Sequence, residues 1–363
     1  MTAPVFIIAE AGVNHNGDIN TAFALIDAAQ RAGADAVKFQ TFKTEKIITK
    51  SAATADYQKN NVAGEASQFE LVKRLELSYE QFSELQRHCK KRGILFLSTP
   101  DESESLDFLI DVLQMPIIKI GSGEVNNLPY LRQIASKNKP MILSTGMSYL
   151  GEIETAVATI QAISSAPITL LHCTTNYPCP MEQVNLSAML TLKNAFKTEI
   201  GYSDHTLGIE VPIAAVALGA TVIEKHFTLD KNMPGPDHLA SLNPQELTEM
   251  VTAIRRIELA MGDGIKRPNS SEQVTKTVVR KRLTAIKNLP IGHVLNPSDI
   301  EFKRANVGIY VEHLDLVIGK KLIQPVLIDT AFQWSDFMQV ETAGANDSAL
   351  ALAEANVFPR QNQ

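Results

Sequence analysis

The stretch "FIIAEAGVNHNGD", residues 6–18, begins as a buried strand and closes on a charge. Phe6, Ile7, Ile8 and Ala9 are followed at once by Glu10, and then by a small and polar run ending in Asn14-His15-Asn16-Gly17. Desolvation penalises a carboxylate at the tip of an apolar strand. A strand that ends in ionisable chemistry and then turns is the unit that parallel α/β folds repeat, because they gather their sites at the carboxyl ends of strands.

Outward from residue 18 the same unit recurs. After the first apolar run (4–11) come strand candidates at 36–42, 94–100, 117–123, 141–146, 168–174, 199–204 and 221–227. Helix candidates fall between them near 20–33, 79–92, 102–112, 128–137, 150–163, 186–196, 208–218 and 244–261. Eight strands, each followed by a helix, predict an α/β protein of the (β/α)8 or TIM-barrel class over residues 1–262. A doubly wound sheet is the rival, but no GxGxxG opens a helix after the first strand.

In a closed barrel, polar residues at the strand ends meet on one rim. Glu10 closes the first strand, Lys38 and Gln40 the second, and Thr99 the third. Lys119, Ser122 and Glu124 close the fourth, and Ser144 the fifth. Thr174 and Thr175 close the sixth, Ser203 and His205 the seventh, and Glu224 and His226 the eighth. Eight such ends predict a lined polar cavity. The long connection 43–78 is read as a lid or substrate-binding loop, against the plainer reading of a surface excursion.

Beyond the eighth helix, "GDGIKRPNSSEQ" (262–273) reads as linker, which is extended here over 263–279. Short strands and turns over 280–338 predict a small second domain, and 339–363 reads as a frayed or disordered tail.

Composition narrows the function. The chain has 363 residues, 45% hydrophobic and 20% charged, with a net charge of −6. That balance suits a globular protein and offers no electrostatic case for nucleic acid or an anionic membrane. No apolar run approaches the roughly 20 residues that span a bilayer, and "MTAPVFIIAEAG" lacks the basic start of a signal peptide. Cys89, Cys173 and Cys179 form no CxxC pair, so a reducing cytoplasm is expected.

His205 and His226 lie at the ends of neighbouring strands seven and eight. Two neutral imidazoles at one rim can hold a divalent metal while leaving positions for water and substrate; the plainer alternative is two hydrogen-bonded structural histidines. His172, inside "TLLHCT", reads as a satisfied barrel histidine or a group supporting the site from behind, and His88 and His313 as surface residues. Lys38 and Lys119 interrupt apolar strands with no carboxylate beside them on their own strands. A buried ammonium needs an anion. Either an anionic substrate supplies it, with Ser122, Ser144, Ser203 and the "GSG" amides alongside, or Glu10, Glu124 or Glu224 does.

Taken in order, "IIAEAGVNHNG", "GADAVKFQTF", "FLSTP", "KIGSGE", "ILSTGM", "LLHCTTNYP", "GYSDHTLG", "EKHFTLDK" and "PGPDH" resemble the bacterial sialic acid synthase family, and the resemblance runs from Glu10 to about residue 338. It implies condensation of phosphoenolpyruvate with an open-chain N-acetylated mannose-type sugar, with release of phosphate and formation of a nine-carbon 2-keto acid. It further implies a divalent metal, Mn2+ by preference with Mg2+ or Co2+ as substitutes. The fold it implies is a TIM barrel followed by an antifreeze-protein-like (SAF) domain, in a homodimer whose C-terminal domains are swapped. Carried over by position, His205 and His226 are the metal ligands. Lys38, Thr99, Lys119, Ser122, Ser144 and Ser203 bind phosphoenolpyruvate, as does Thr175, where some members have asparagine. Glu10, Gln40, Glu124, Tyr177 and Asp237 face the sugar or the reacting centre, with Glu10, Gln40 and Glu124 as the catalytic set. Arg304 reaches the sugar's acyl group from the partner subunit, although the family's Lys-Arg-Pro-Gly-Asn-Gly loop is here Lys303-Arg304-Ala305-Asn306-Val307-Gly308.

The stretches "EAGVNHNGD", "HCTTNYP" and "AMGDGIK" are similar to those of N,N'-diacetyllegionaminic acid synthases, which take 2,4-diacetamido-2,4,6-trideoxymannose. The N-acetylneuraminate synthases, which take N-acetylmannosamine, share most of the rest. Two other readings are weighed beside this one. A metal-dependent pyruvate and sugar aldolase would not release phosphate. A non-catalytic sugar- or ice-binding protein would not be expected to retain Glu10, Lys38, Lys119, His205 and His226 together.

Overall fold

Aliphatic runs become strands here because both faces are covered, as parallel sheets require. The protein is described by a computed structural model over residues 3–50 and 67–338. Eight parallel strands form one sheet in the order β3-β2-β1-β8-β7-β6-β5-β4. They are β1 (Phe6–Gly12), β2 (Ala36–Thr41), β3 (Leu95–Pro100), β4 (Ile118–Ile120), β5 (Met141–Ser144), β6 (Ile168–His172), β7 (Glu199–Asp204) and β8 (Val222–His226). β3 and β4, at the ends of that order, also lie against each other, bringing the sheet round into a barrel. Leu25, Ile26, Phe82, Leu85, Leu131, Ile134, Leu247 and Ile254 seal its outer face from the surrounding helices.

The opening stretch shows how one unit is locked. Asp18 caps helix Ile19–Ala32 by accepting from the amides of Asn20 and Thr21, and Gly33 ends that helix in the left-handed region at φ 82°. Asn14 donates from Nδ2 to the Phe227 carbonyl and to Ser241 Oγ, both at 2.9 Å, which ties the turn after β1 to the end of β8. The polar run is therefore structural, and Glu10 needs a separate account.

The chain divides into two units, Met1–Gly264 and Ile265–Gln363. The second has its own core, built around Leu283, Leu289, Leu295, Ile309, Val317, Leu322 and Phe332. It carries an antiparallel pair, β9 (Lys281–Ala285) with β10 (Ile300–Arg304). Within the expected linker, residues 270–279 form a helix, Ser270–Val279. Asn269 and Glu272 make a reciprocal capping box that starts it, while none of its residues is buried. A polar composition had hidden a capped helix. The tail 339–363 and much of the expected lid, residues 51–66, lie outside the described residues. Among those described, no helix is long and apolar enough to cross a membrane.

Candidate active site

Strand alternation sorts the rim. Residues two apart on a strand share a face, so Lys38 and Gln40, Ser203 and His205, and Glu224 and His226 point the same way. Register then brings the strands into step: Glu10 lies opposite Lys38 on one side and His226 on the other, and Ser203 lies opposite Glu224. Together with Thr99, Lys119, Ser122, Ser144, Thr175 and Tyr177 they line a cavity of about 220 Å³.

Its floor is a balanced charge cluster. Lys38 Nζ lies 2.7 Å from Glu10 Oε2 and 3.5 Å from Glu224 Oε2, and donates to Thr99 Oγ1 at 2.9 Å. Lys119 Nζ donates to Ser144 Oγ at 2.7 Å and lies 3.6 Å from Glu224 Oε1. Glu224 Oε1 in turn accepts from Ser203 Oγ at 2.9 Å. Of the two accounts open for the lysines, the ion pairs inside the barrel are therefore present, with Glu224 shared between them.

The electrostatics are asymmetric. Burial dominates at Glu10 and pushes its carboxyl up to about 7, although Lys38 opposes it. Burial also acts on Glu224, but Lys119 and Lys38 outweigh it and hold that carboxyl at about 2. Burial works against the charge on Lys38, yet Glu10 and Glu224 raise it above the ordinary lysine value. Lys119, with no carboxylate as near as Glu10 is to Lys38, is pushed down by burial.

His205 and His226 stand side by side at the mouth, with ring centroids 5.3 Å apart. The Tyr177 ring packs on His205 at 4.0 Å. His205 Nδ1 donates to the Thr174 carbonyl at 2.6 Å, which leaves Nε2 with its lone pair. His226 Nδ1 is buried without a hydrogen-bond partner among the described residues, and Asp237 Oδ2 lies 3.6 Å away. Burial lowers both imidazoles, and the neighbouring His205 adds to the effect at His226, so both rings are neutral near pH 7. Two bare nitrogens beside a carboxylate fit a divalent cation. Among the described residues no three His, Cys, Asp or Glu side chains are grouped to hold a metal, and a cation held by the two imidazoles would need water or substrate oxygens to complete its shell.

Other expected residues sit differently. Glu124, in the short turn Ser122–Glu124, accepts from Asn127 Nδ2 at 2.7 Å and does not line the cavity. Asp237 Oδ2 lies 3.6 Å from His226 Nδ1, and burial pushes its carboxyl up to about 6. Arg304 is exposed at the end of β10 in the second unit. His172 is satisfied by the Val184 carbonyl at 2.8 Å, as a barrel histidine should be. Asp101 and Cys173 line the cavity without having been singled out. Asp101 follows directly on β3, and its carboxyl, withdrawn from bulk water, is pushed up to about 7. Thr175 Oγ1 is buried without a hydrogen-bond partner among the described residues, as a ligand-facing hydroxyl would be.

Comparison with known proteins gives the arrangement its relatives. An SAF domain matches residues 280–338. The chain is 53% identical over 316 residues to the N,N'-diacetyllegionaminic acid synthase of Campylobacter jejuni, covering 86% of this chain and 94% of that one. It is 45% identical to the synthase of the same name from Legionella pneumophila, covering 91% and 93%. A solved N-acetylneuraminic acid synthetase from Leptospira borgpetersenii superposes with a TM-score of 0.67 at 39% identity, covering 75% of this chain and 90% of that one. The NeuB family profile matches residues 25–266, which span every strand end at the mouth except Glu10, and the chain belongs to the NeuB family.

Proposed function

We propose that this chain is a nonulosonic acid synthase, joining phosphoenolpyruvate to an open-chain N-acylated mannose-type sugar with release of phosphate. The observation that carries this reading is the cavity itself: two buried ammonium groups and two neutral imidazoles share one mouth of the barrel. A dianionic phosphate ester needs the first pair. An aldehyde to be activated needs the second. The relatives at 53% and 45% identity support 2,4-diacetamido-2,4,6-trideoxymannose as the acceptor and N,N'-diacetyllegionaminate as the product, with N-acetylmannosamine as the competing acceptor.

His205 and His226 would hold the cation, Mn2+ by preference. When bound it supplies Lewis acidity to the acceptor's carbonyl. Lys38 and Lys119, with the hydroxyls of Thr99, Ser122, Ser144 and Ser203, take the phosphate and carboxylate of phosphoenolpyruvate. As its C3 attacks the aldehyde carbon, positive charge grows at C2, and the Glu10 carboxylate beside Lys38 stabilises it. Water then adds to C2, and Glu10 takes one of its protons and passes it to the alkoxide left at the former aldehyde oxygen. Phosphate departs by cleavage of the C–O bond, taking the proton of the C2 hydroxyl, which becomes the keto group. Gln40, whose Nε2 lies 3.4 Å from Glu10 Oε1, orients that carboxylate. Tyr177 and Asp237 flank the acceptor's end of the mouth, while Glu124, tied to Asn127, has the weaker case for a direct role.

Arg304 of the partner subunit would contact the acyl group in a domain-swapped homodimer. The buried, unpaired cysteines suit a reducing cytoplasm. The test offers both sugars side by side with phosphoenolpyruvate and Mn2+, and reads product mass together with phosphate. The expected result is one phosphate per nine-carbon keto acid and preference for the diacetamido sugar. Product formed from pyruvate without phosphate would replace this reading with an aldolase.

A further inference from the structure

Asp204 and Lys225 each stand one residue before a cavity histidine, His205 and His226. They are register partners and form the last rung of the β7–β8 ladder, so on that side both imidazoles lie just past the end of the strand pairing. Alternation turns Asp204 and Lys225 away from the cavity, and neither lines it. Both side chains are fully buried and paired with each other. Lys225 Nζ also donates to the Thr206 carbonyl. Asp204 Oδ1 accepts from the Thr206 amide at 3.1 Å and from its hydroxyl at 2.9 Å. His205 is thus bracketed on both sides by residues gripped in one cluster, and the cluster's other end is the residue next to His226.

A wholly buried ion pair is a poor device for stability, since well-packed apolar residues of similar volume usually do as well or better. What such a pair can do is fix a register that apolar contacts leave soft. We propose that Asp204 and Lys225 are positioning residues, a clamp behind the sheet that sets the separation of His205 and His226 and with it the affinity for a divalent cation. The inference rests on the metal reading above.

The test is Mn2+ titration of the metal-stripped full-length chain, followed by calorimetry or electron paramagnetic resonance. The variants are Lys225→Met and the double variant Asp204→Leu/Lys225→Met, which leaves no orphaned charge behind and keeps the test open if the single variant fails to fold. Groups that orient metal ligands typically contribute ten- to hundredfold in affinity. The double variant, which leaves the Thr206 amide and carbonyl without these partners, is expected to fold with a lowered melting temperature and to bind Mn2+ at least tenfold more weakly, while phosphoenolpyruvate binding without metal is unchanged. A folded double variant with wild-type Mn2+ affinity overturns the clamp. Wild type that takes up no Mn2+, or His205→Ala that binds it undiminished, removes the metal reading and the clamp with it.

Discussion

Glu10 sits where a carboxylate is least welcome, and its surroundings turn that cost to use. Lys38 keeps it anchored while burial holds its carboxyl near 7, and Glu224, shared by Lys38 and Lys119, is driven the other way. Two carboxyls in one cluster with opposed proton affinities divide the labour: one exchanges a proton, the other stays charged. Glu10→Gln should lower kcat about 10²–10³-fold, the loss typical of removing one preorganised electrostatic group, and near-full turnover would contradict the role. In the wild type, kcat/KM should fall as pH drops through about 7 and Glu10 is protonated. Stability has two opposed contributions. The raised Glu10 disfavours the folded state as pH climbs from 4.5 to about 7, and the lowered Glu224 favours it above 4.5 but loses that as pH falls toward 2. At this scale Glu10, Lys38 and Lys119 were legible as charges out of place on apolar runs, and His205 and His226 as imidazoles at the ends of neighbouring strands. Glu224 was legible as one of three carboxylates open to the lysines, but that both share it depends on strand register, and Asp101 fell between a strand and a helix candidate with nothing to mark it.

Elements were easier to read than their junctions. Parallel strands announce themselves as apolar runs because both faces are buried, and the helices between them follow from period and caps. The expected helix 102–112 is nonetheless two pieces, an α-helix Ser103–Asp107 and a wider turn Phe108–Val112. The apolar run that predicted it is the same for either backbone. Ser270–Val279 was missed because no face of it is buried, so only its capping box could have marked it. Close strand contact gives a prediction. A Cβ at Gly201 on β7 would fall 2.3 Å from the Val222 carbonyl oxygen and 2.5 Å from Leu171 Cδ2. Gly201→Ala should therefore destabilise the fold by about 1–3 kcal/mol, read as a lower urea midpoint with an unchanged slope; an unchanged midpoint would mean that β7 and β8 can part at no cost.

At the scale of the molecule, a barrel and an SAF domain occupy one chain, and the cavity described here belongs to the barrel unit alone. The catalytic proposal gives the second unit one task through Arg304. Arg304→Ala should raise the KM for the acceptor sugar about ten- to hundredfold, the range for losing one charge-assisted hydrogen bond, and leave the KM for phosphoenolpyruvate unchanged. KM values unchanged from wild type for both substrates would leave that arginine without a part in binding. The two-unit plan was legible from the change of texture after residue 262, but no single-chain pattern reveals which subunit an exposed arginine serves.

The most direct test of the whole account is a crystal grown with phosphoenolpyruvate and Mn2+ and measured at the manganese absorption edge. One anomalous peak shared by His205 and His226, with phosphoenolpyruvate density against Lys38 and Lys119, is the predicted result. A manganese peak away from both imidazoles, or phosphoenolpyruvate bound outside that mouth, would contradict it.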